Sequence, residues 1–302
     1  MSIVAVGPIY VDIKGFPLEG YIPTGRNAGF IEYVYGGVSH NVIRDIASLN
    51  VNTTFVSMVD NSAIGQDILR GLEDRKIHTE YMQVCENGMG TWLAVFNEKK
   101  DVAGSISARP NLAPLLQMLK DTGNEIISKA DSVVVEMDVD IEIVERMISL
   151  AKRHNKKIFG VVANMSIARE RKELLKELDC FVCNEQEAEQ LFYTEYVDKP
   201  IEEVQASLLK KVKKWGYKSI IVTLGSKGCI YATSNGDAGF VSSQKVNVVD
   251  TTGAGDAFFA GVTVGLTYNK SYEEACKIGT KLACNVIQST ESVCSYIESF
   301  EK

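Results

Sequence analysis

The sequence predicts an α/β protein with a mostly parallel central sheet, helices on both faces of that sheet, and a small β-sheet lid. From Pro110 onward, short β-branched runs alternate with amphipathic helical stretches. Such alternation requires right-handed crossovers between parallel strands. Two strand-rich stretches, about residues 10–35 and 90–108, interrupt the alternation. We expect them to form the lid, inserted into a single domain that spans residues 1–302.

Apolar runs and polar turns place the elements in the first part of the chain. Residues 2–7 and 55–59 are predicted strands, and a helical pattern follows Gly36-Gly37 to about Leu49. Residues 91–106 alternate apolar and polar side chains around a polar turn at residues 98–100, which predicts a second strand-rich stretch.

Helices and strands then follow in turn through the second part. The predicted helices are 112–120, 141–154, 168–178, 185–192, 201–215 and 255–268. The predicted strands are 132–137, 157–162, 180–183, 219–224, 228–233 and 245–249. In sheets of this kind, ligands bind at the carboxyl ends of the strands.

Composition excludes several classes of partner. The chain has 302 residues, 45% of them hydrophobic, and a net charge of -7, so we expect no nucleic acid and no anionic membrane surface as partner. We also find no signal-peptide pattern and no apolar run of the roughly 18 residues that a membrane helix needs. The seven cysteines lack framework spacing, and Cys180 and Cys183 lie in an apolar run. We expect a cytoplasmic protein whose cysteines are reduced.

A glycine-rich turn is the main functional signal. In NVVDTTGAGDAFFAGV, residues 247–262, Gly253 and Gly255 flank Ala254 between a β-branched run and an apolar helix. Without a Cβ at the glycines, the chain can bend and present successive amides to a ligand, and the helix dipole favours an anion there. The turn therefore predicts a phosphate site. It is no Rossmann fingerprint, because Phe258 occupies the third glycine position.

Asp256, at the start of that helix, allows two interpretations. As a helix-start carboxylate it would interact with the dipole, worth at most ~1 kcal/mol. As a general base, held ionised by the same amides, it would accept the proton of a hydroxyl that attacks the phosphate, a contribution on the order of 10²–10⁴ in rate. The residues alone leave both interpretations open.

The motif DTTGAGDAFFAG resembles the signature of the ribokinase-like, pfkB-type carbohydrate kinases, and the resemblance extends over the whole chain. It implies a ribokinase-like three-layer sandwich with a lid, and a kinase that uses ATP and Mg²⁺. It also implies catalytic roles for Asp256 and for the amides of Gly253, Ala254 and Gly255. An exposed face of the lid implies a homodimer.

Further motifs of this family can be matched residue by residue. Gly36, Gly37 and Asn41 are similar to its second signature and Asp12 to its hydroxyl-binding aspartate, which implies an acceptor site; a tight strand-to-helix turn is the alternative for the glycine pair. The remaining matches imply a cofactor site. Asn184 and Glu187 resemble an NxxE motif that organises Mg²⁺ through water, with a capping box as the alternative; Thr223, Gly225 and Gly228 resemble the nucleotide-binding turn, with a hairpin as the alternative; and Asp250 and Thr252 match a potassium site.

Within the family, VDIKGFP, MGTWLAVF and ACNVIQSTESV are most similar to pseudouridine kinases. Three departures fall where the acceptor is selected: Tyr10 replaces an expected Asn, Ser107-Ala108-Arg109 an Asp-Met pair, and Ala163-Asn164 an Asp-Pro pair. We expect Tyr10 and Arg109 to contact a neutral acceptor with a primary hydroxyl, pseudouridine or a related nucleoside. The alternatives are a ribokinase- or fructokinase-type free-sugar kinase and a non-catalytic nucleoside-sensing module.

Overall fold

The computed structural model describes residues 1–99, 101–162, 164–295 and 297. Its strands are β1 Ser2–Val6, β2 Tyr10–Pro17, β3 Gly29–Gly36, β4 Asn52–Val59, β5 Met82–Val84, β6 Gly90–Phe96, β7 Val102–Ala108, β8 Ser132–Glu136, β9 Lys157–Val161, β10 Cys180–Asn184, β11 Ser219–Thr223, β12 Gly228–Thr233 and β13 Ala238–Ser242. Its helices are α1 Val38–Ser48, α2 Ala63–Asp74, α3 Ala113–Asp121, α4 Gly123–Lys129, α5 Ile141–Arg153, α6 Met165–Glu170, α7 Lys172–Leu175, α8 Glu185–Phe192, α9 Ile201–Trp215, α10 Ala254–Thr267 and α11 Tyr272–Val286.

The described residues form two sheets. The large sheet has the order β13-β12-β11-β10-β9-β8-β1-β4-β5 and is parallel from β11 to β5, while β12 and β13 are antiparallel additions. The small sheet has the order β3-β2-β6-β7 and consists of the two strand-rich stretches predicted as the lid. The predicted α/β class, with a mostly parallel sheet and a smaller one, is confirmed.

Two layers of buried apolar side chains hold helices against the two faces of the large sheet. One layer joins the sheet to α1, α2, α10 and α11, and the other joins it to the helices from α3 to α9. Helix α10 is buried almost all round. It lies close to α11 because Gly261 faces Gly279: a Cβ on Gly261 would be 2.6 Å from the Gly279 Cα. This packing fixes the helix that begins at the glycine turn.

Most predicted elements lie within about two residues of the observed ones, but one strand is wrong. Residues 243–248 form no regular structure, and Val248 and Val249 are 61% and 59% exposed. The chain leaves the large sheet after β13. The Val249 amide then donates to the carbonyl of Ile287 at 2.7 Å and not to a strand. The predicted strand 245–249 is therefore wrong, because this β-branched run has no neighbouring strand with which to pair.

The predicted helix 168–178 is also wrong in part, because α6 and α7 are separate, with Arg171 between them. The Arg171 guanidinium donates hydrogen bonds to the carbonyls of Met137 and Val139, which follow β8. Helices α2, α4 and α11 and strands β5 and β13 were not predicted.

Several smaller expectations can also be checked. Cys180 and Cys183 are buried, and all seven cysteines are free thiols. Across the described ranges, no helix combines the length and apolarity needed to cross a membrane. Lys100 of the predicted hairpin turn, Ala163 of the third departure and the last residues of the predicted domain, 298–302, lie outside the described residues.

Candidate active site

The glycine turn begins α10. Gly253 is the N-cap residue and has a φ of 80°, a backbone conformation that residues other than glycine rarely adopt. A Cβ there would be 2.0 Å from the carbonyl oxygen of Ser292. Gly255 is different, because a Cβ on it would meet no protein atom within 4 Å. Gly253 therefore serves the fold, whereas Gly255 leaves open space where a ligand can approach the amides.

Asp256 is held by helix α1. The Asn41 amide nitrogen Nδ2 donates to Asp256 Oδ2 at 2.9 Å, across 215 residues of sequence. Burial raises the pKa of Asp256 to about 6, and the hydrogen bond from Asn41 opposes this rise. Loss of hydration is thus the largest cause of the shift, and it acts against the ionised carboxyl that the turn amides are predicted to favour. The carboxyl is still mostly ionised at neutral pH, and its pKa is close to that of an efficient general base.

A cavity of about 400 Å³ lies beside Asn41, between the small sheet and the ends of the central strands. Five residues predicted to bind the acceptor line it: Tyr10, Asp12, Gly37, Asn41 and Arg109. The Asn41 amide oxygen Oδ1 is buried and has no hydrogen-bond partner among the described residues. It can therefore accept a hydrogen bond from a hydroxyl in this cavity.

The lid side of this first cavity is shaped by two glycines. Gly36 adjoins it, since a Cβ on Gly36 would be 3.5 Å from Asp12 Oδ2. A Cβ on Gly90 would be 2.2 Å from the Tyr10 ring, so the ring packs directly on that backbone. The pKa of Tyr10 is raised, mainly by burial and then by Glu136, while Arg109 lowers it. Burial likewise raises the pKa of Asp12, against the effect of Lys14.

Three acidic residues of the first cavity were missed from the sequence: Glu136, Asp138 and Asp140, at and after the end of β8. Glu136 is buried and accepts a hydrogen bond from Ser39 Oγ at 2.8 Å. Burial, more than the neighbouring Asp138, raises its pKa to about 7. The available signal was the alternation of acidic and apolar residues in VEMDVD, residues 135–140, across the end of a predicted strand. An acidic lining disfavours a substrate that already carries phosphate.

A second cavity, of about 700 Å³, lies on the other side of the turn. Three predicted nucleotide-binding residues line it, Thr223, Gly225 and Gly228, together with Ala254 and Gly255, whose amides are predicted to be catalytic. The β11–β12 connection is also the antiparallel hairpin of the alternative interpretation. Apolar side chains complete the wall, namely Val246, Val248, Phe258, Ala283 and Ile287. The misread segment 245–249 thus lines a cavity instead of extending the sheet.

The NxxE residues form the capping box of the alternative interpretation. Asn184 Oδ1 accepts from the Glu187 amide and Glu187 Oε2 accepts from the Asn184 amide, both at 2.8 Å. Burial, with a smaller effect of Asp138, raises the pKa of Glu187. Neither residue lines the two cavities. Carboxylate oxygen and water suit Mg²⁺, so Glu187 fits that ion through water.

The residues matched to a potassium site bond to each other. The amide and the hydroxyl of Thr252 both donate to Asp250 Oδ1, at 2.9 and 2.8 Å. These bonds lower the pKa of Asp250. In the part of the chain that the structure describes, no group of three His, Cys, Asp or Glu side chains is placed to hold a metal ion.

Comparisons with known proteins show similarity to kinases over nearly the whole chain. The model of the pfkB family of carbohydrate kinases matches residues 2–297. Guanosine-inosine kinase of Exiguobacterium acetylicum is 33% identical over 295 residues, which cover 96% of each chain. Ribokinase of Haemophilus influenzae is 26% identical over 274 residues, covering 90% of this chain and 86% of that one. The structure of Arabidopsis thaliana ribokinase complexed with ribose and ATP has a TM-score of 0.83 at 23% identity, covering 97% and 96% of the two chains.

Proposed function

The chain belongs to the pfkB family of carbohydrate kinases, and from this premise we propose that it transfers the γ-phosphate of ATP to the primary hydroxyl of a nucleoside. The 33% identity to a guanosine-inosine kinase over nearly the whole chain favours a purine ribonucleoside as acceptor. Pseudouridine stays in the proposal as a second acceptor on the strength of the motif resemblance alone.

One observation carries the proposal: Asp256 is not itself among the residues that line the two cavities, but it contacts residues of both. Its hydrogen-bond partner Asn41 lines the first cavity, and the residues just before it, Ala254 and Gly255, line the second. A carboxylate at this point can accept a proton from an acceptor on one side while the amides of the turn hold a phosphate on the other.

In the proposed reaction, Asp12, Asn41 and the Gly37 backbone hold the hydroxyls of the acceptor. Asp256 takes the proton of the primary hydroxyl, whose oxygen then forms a bond to the γ-phosphorus. The bond from that phosphorus to the bridging oxygen breaks, and ADP leaves. The amides of residues 253–256 stabilise the charge on the transferring group. Asp256→Asn should therefore lower kcat by about 10²-fold or more.

The residues predicted to bind the cofactors support this chemistry. Thr223, Gly225 and Gly228 would lie along ATP in the second cavity. Asn184 and Glu187 would hold Mg²⁺ through water, and the ion would neutralise phosphate charge. Asp250 and Thr252 are the proposed potassium ligands.

Selectivity for a neutral acceptor rests on the lining of the first cavity. Tyr10 and Arg109 supply a ring face and a guanidinium to a nucleobase, and the acidic residues after β8 repel an anionic substrate. The lid strands, which include the exposed β7, would exclude water from the transferred phosphate.

The test is ADP release with ATP, Mg²⁺ and a panel of guanosine, inosine, pseudouridine, ribose and fructose. We expect guanosine and inosine to give the highest kcat/KM. A preference for ribose or fructose would replace the nucleoside assignment by a free-sugar kinase. Nucleoside binding without any ADP release would favour the sensing module and overturn the kinase chemistry proposed here.

We also propose a homodimer through the lid. Across the small sheet, Tyr33 pairs with Ile13, Ile13 with Leu93, and Leu93 with Ile106. This apolar row points away from the acceptor cavity, because Asp12 and Ser107, which line that cavity, alternate with it along the strands. Tyr33 and Ile106 are 55% and 70% exposed. Light scattering at micromolar concentration should give a dimer mass that Ile106→Lys reduces to a monomer; a monomeric wild-type protein would contradict this proposal.

A further inference from the structure

A buried carboxyl outside the proposed chemistry lies in helix α1. Asp45 is fully buried, and its Oδ1 accepts a hydrogen bond from the Cys294 amide at 2.6 Å. Its other oxygen, Oδ2, is buried with no hydrogen-bond partner among the described residues. Native proteins rarely leave a buried carboxyl oxygen unpaired, so its presence here requires an explanation.

Asp45 belongs to a closed ring of contacts around the glycine turn. It lies one helical turn after Asn41, which holds Asp256. Its partner Cys294 is part of residues 289–295, which we call the C-terminal strap. The strap returns to the turn through Ser292, whose carbonyl oxygen lies against Gly253. Helix α1, the start of α10 and the strap thus hold one another at three points.

The strap has one more attachment, through Cys294, and the chain just after it has another, at Ile297. Arg75 Nη1 donates to the Cys294 carbonyl at 3.1 Å, and the Ile297 amide donates to the Ser48 carbonyl at 3.0 Å. Both stabilise the strap near Cys294. Ser48 is also on α1, but it holds Ile297, which follows the strap. Asp45 is the α1 residue that holds the strap itself, one helical turn from Asn41, and it therefore links the position of the strap to that of Asp256.

We propose that Asp45 is a positioning residue for phosphate transfer: its bond to Cys294 fixes the strap, and the strap fixes Gly253 and the amides that follow it. This inference rests on the proposed role of the glycine turn. Asp45 acts through backbone contacts and touches neither substrate.

Ionisation of Asp45 would disturb this arrangement. Its pKa is raised to about 8: burial is the largest cause and the Asp256 carboxylate adds to it, while the Cys294 hydrogen bonds and Arg44 oppose the rise. The pKa of Arg44 is itself lowered, mainly by burial and then by Arg75, while Asp45 and Glu291 oppose the shift. Above about pH 8, a second buried negative charge near Asp256 would push the strap and the turn apart. We therefore expect kcat to fall on the alkaline side.

The experiment compares Asp45→Asn and Asp45→Ala in the full chain, with Asp179→Asn as the matched control. Asp179 is a carboxylate before β10 that bonds Lys218 and the Ile158 amide, away from both cavities. The readouts are kcat and the KM values for ATP and nucleoside over a range of pH. Asp45→Asn should keep the neutral-pH kcat and lose the alkaline fall. Asp45→Ala should lower kcat by about 10-fold to about 10²-fold, with the nucleoside KM changed by less than about 2-fold.

An alkaline fall that persists unchanged in Asp45→Asn would overturn the inference, as would an Asp45→Ala enzyme with wild-type kcat. A role in folding alone would lower the melting temperature and leave the pH profile as it is in the wild type. If Asp45→Ala does not fold, the near-isosteric Asn variant decides through the pH profile. Asp256→Asn, measured in parallel, separates the two claims: full activity of that variant refutes the proposed function, and its inactivity beside unaffected Asp45 variants refutes only this inference.

Discussion

Alanine at Gly253 should damage both the fold and the reaction, whereas alanine two residues later should spare the fold. A non-glycine residue at the Gly253 φ of 80° costs about 1–2 kcal/mol. The new Cβ would also lie 2.0 Å from the Ser292 carbonyl oxygen, and relieving such an overlap costs roughly 1–3 kcal/mol more. The expected loss of stability is therefore about 2–5 kcal/mol. A turn displaced by about 1 Å should also lose on the order of 10²-fold in kcat.

Gly255→Ala is the matched control, since its Cβ meets no protein atom within 4 Å. Its melting temperature should equal or exceed that of the wild type, because alanine is a better helix former by up to ~1 kcal/mol. Its Cβ faces the second cavity, so the KM for ATP should rise. The assays are thermal unfolding and steady-state kinetics. Wild-type stability in Gly253→Ala, or a wild-type KM for ATP in Gly255→Ala, would refute the account of the turn.

Three further predictions concern the rest of the site. Asp256 must be ionised to accept a proton, and its pKa is raised to about 6. The value of kcat/KM should therefore fall as the pH drops through 6. A pH profile that stays flat down to about pH 4.5 would contradict this prediction. Gly37→Ala, with φ at 96° and a Cβ 3.0 Å from the Tyr10 amide, should raise the nucleoside KM about 10-fold and leave the ATP KM unchanged; equal changes in both would argue against an acceptor role. Glu187→Gln should increase the Mg²⁺ concentration needed for half-maximal rate without lowering the melting temperature, whereas Glu274→Gln in the second capping box, on α11, should leave Mg²⁺ dependence unaltered.

The sequence predicts the layered fold well, because the order of strands and helices depends on local periodicity. Buried strands and amphipathic helices alternate visibly, and the helix Ile201–Trp215 and the strand Gly228–Thr233 match their predictions to the residue. The errors occur where local pattern and tertiary contact disagree. Residues 245–249 have strand-forming side chains but no neighbouring strand, and Arg171 interrupts a helix to reach carbonyls of another segment.

Helix α11 is a different kind of omission. Its capping box, Ser271 with Glu274, is present in the sequence and could have predicted its first turn.

The candidate site could be predicted from local sequence only in part. The glycines and Asp256 stand out locally, but Asn41 meets Asp256 across 215 residues, and Asp45 meets Cys294 across 249. Contacts at such separations depend on how helices pack, which no local pattern encodes.

The most direct test of the proposed chemistry is a single-turnover measurement of phosphate transfer from ATP to guanosine by wild-type enzyme and Asp256→Asn. Near-isosteric asparagine removes the proton acceptor and leaves the turn amides in place, so ATP binding and melting temperature should be preserved. The rate of the chemical step should fall by about 10²–10⁴-fold, and the acid limb near pH 6 should disappear. A variant that transfers phosphate within about 2-fold of the wild-type rate would contradict the assignment of Asp256 as the base.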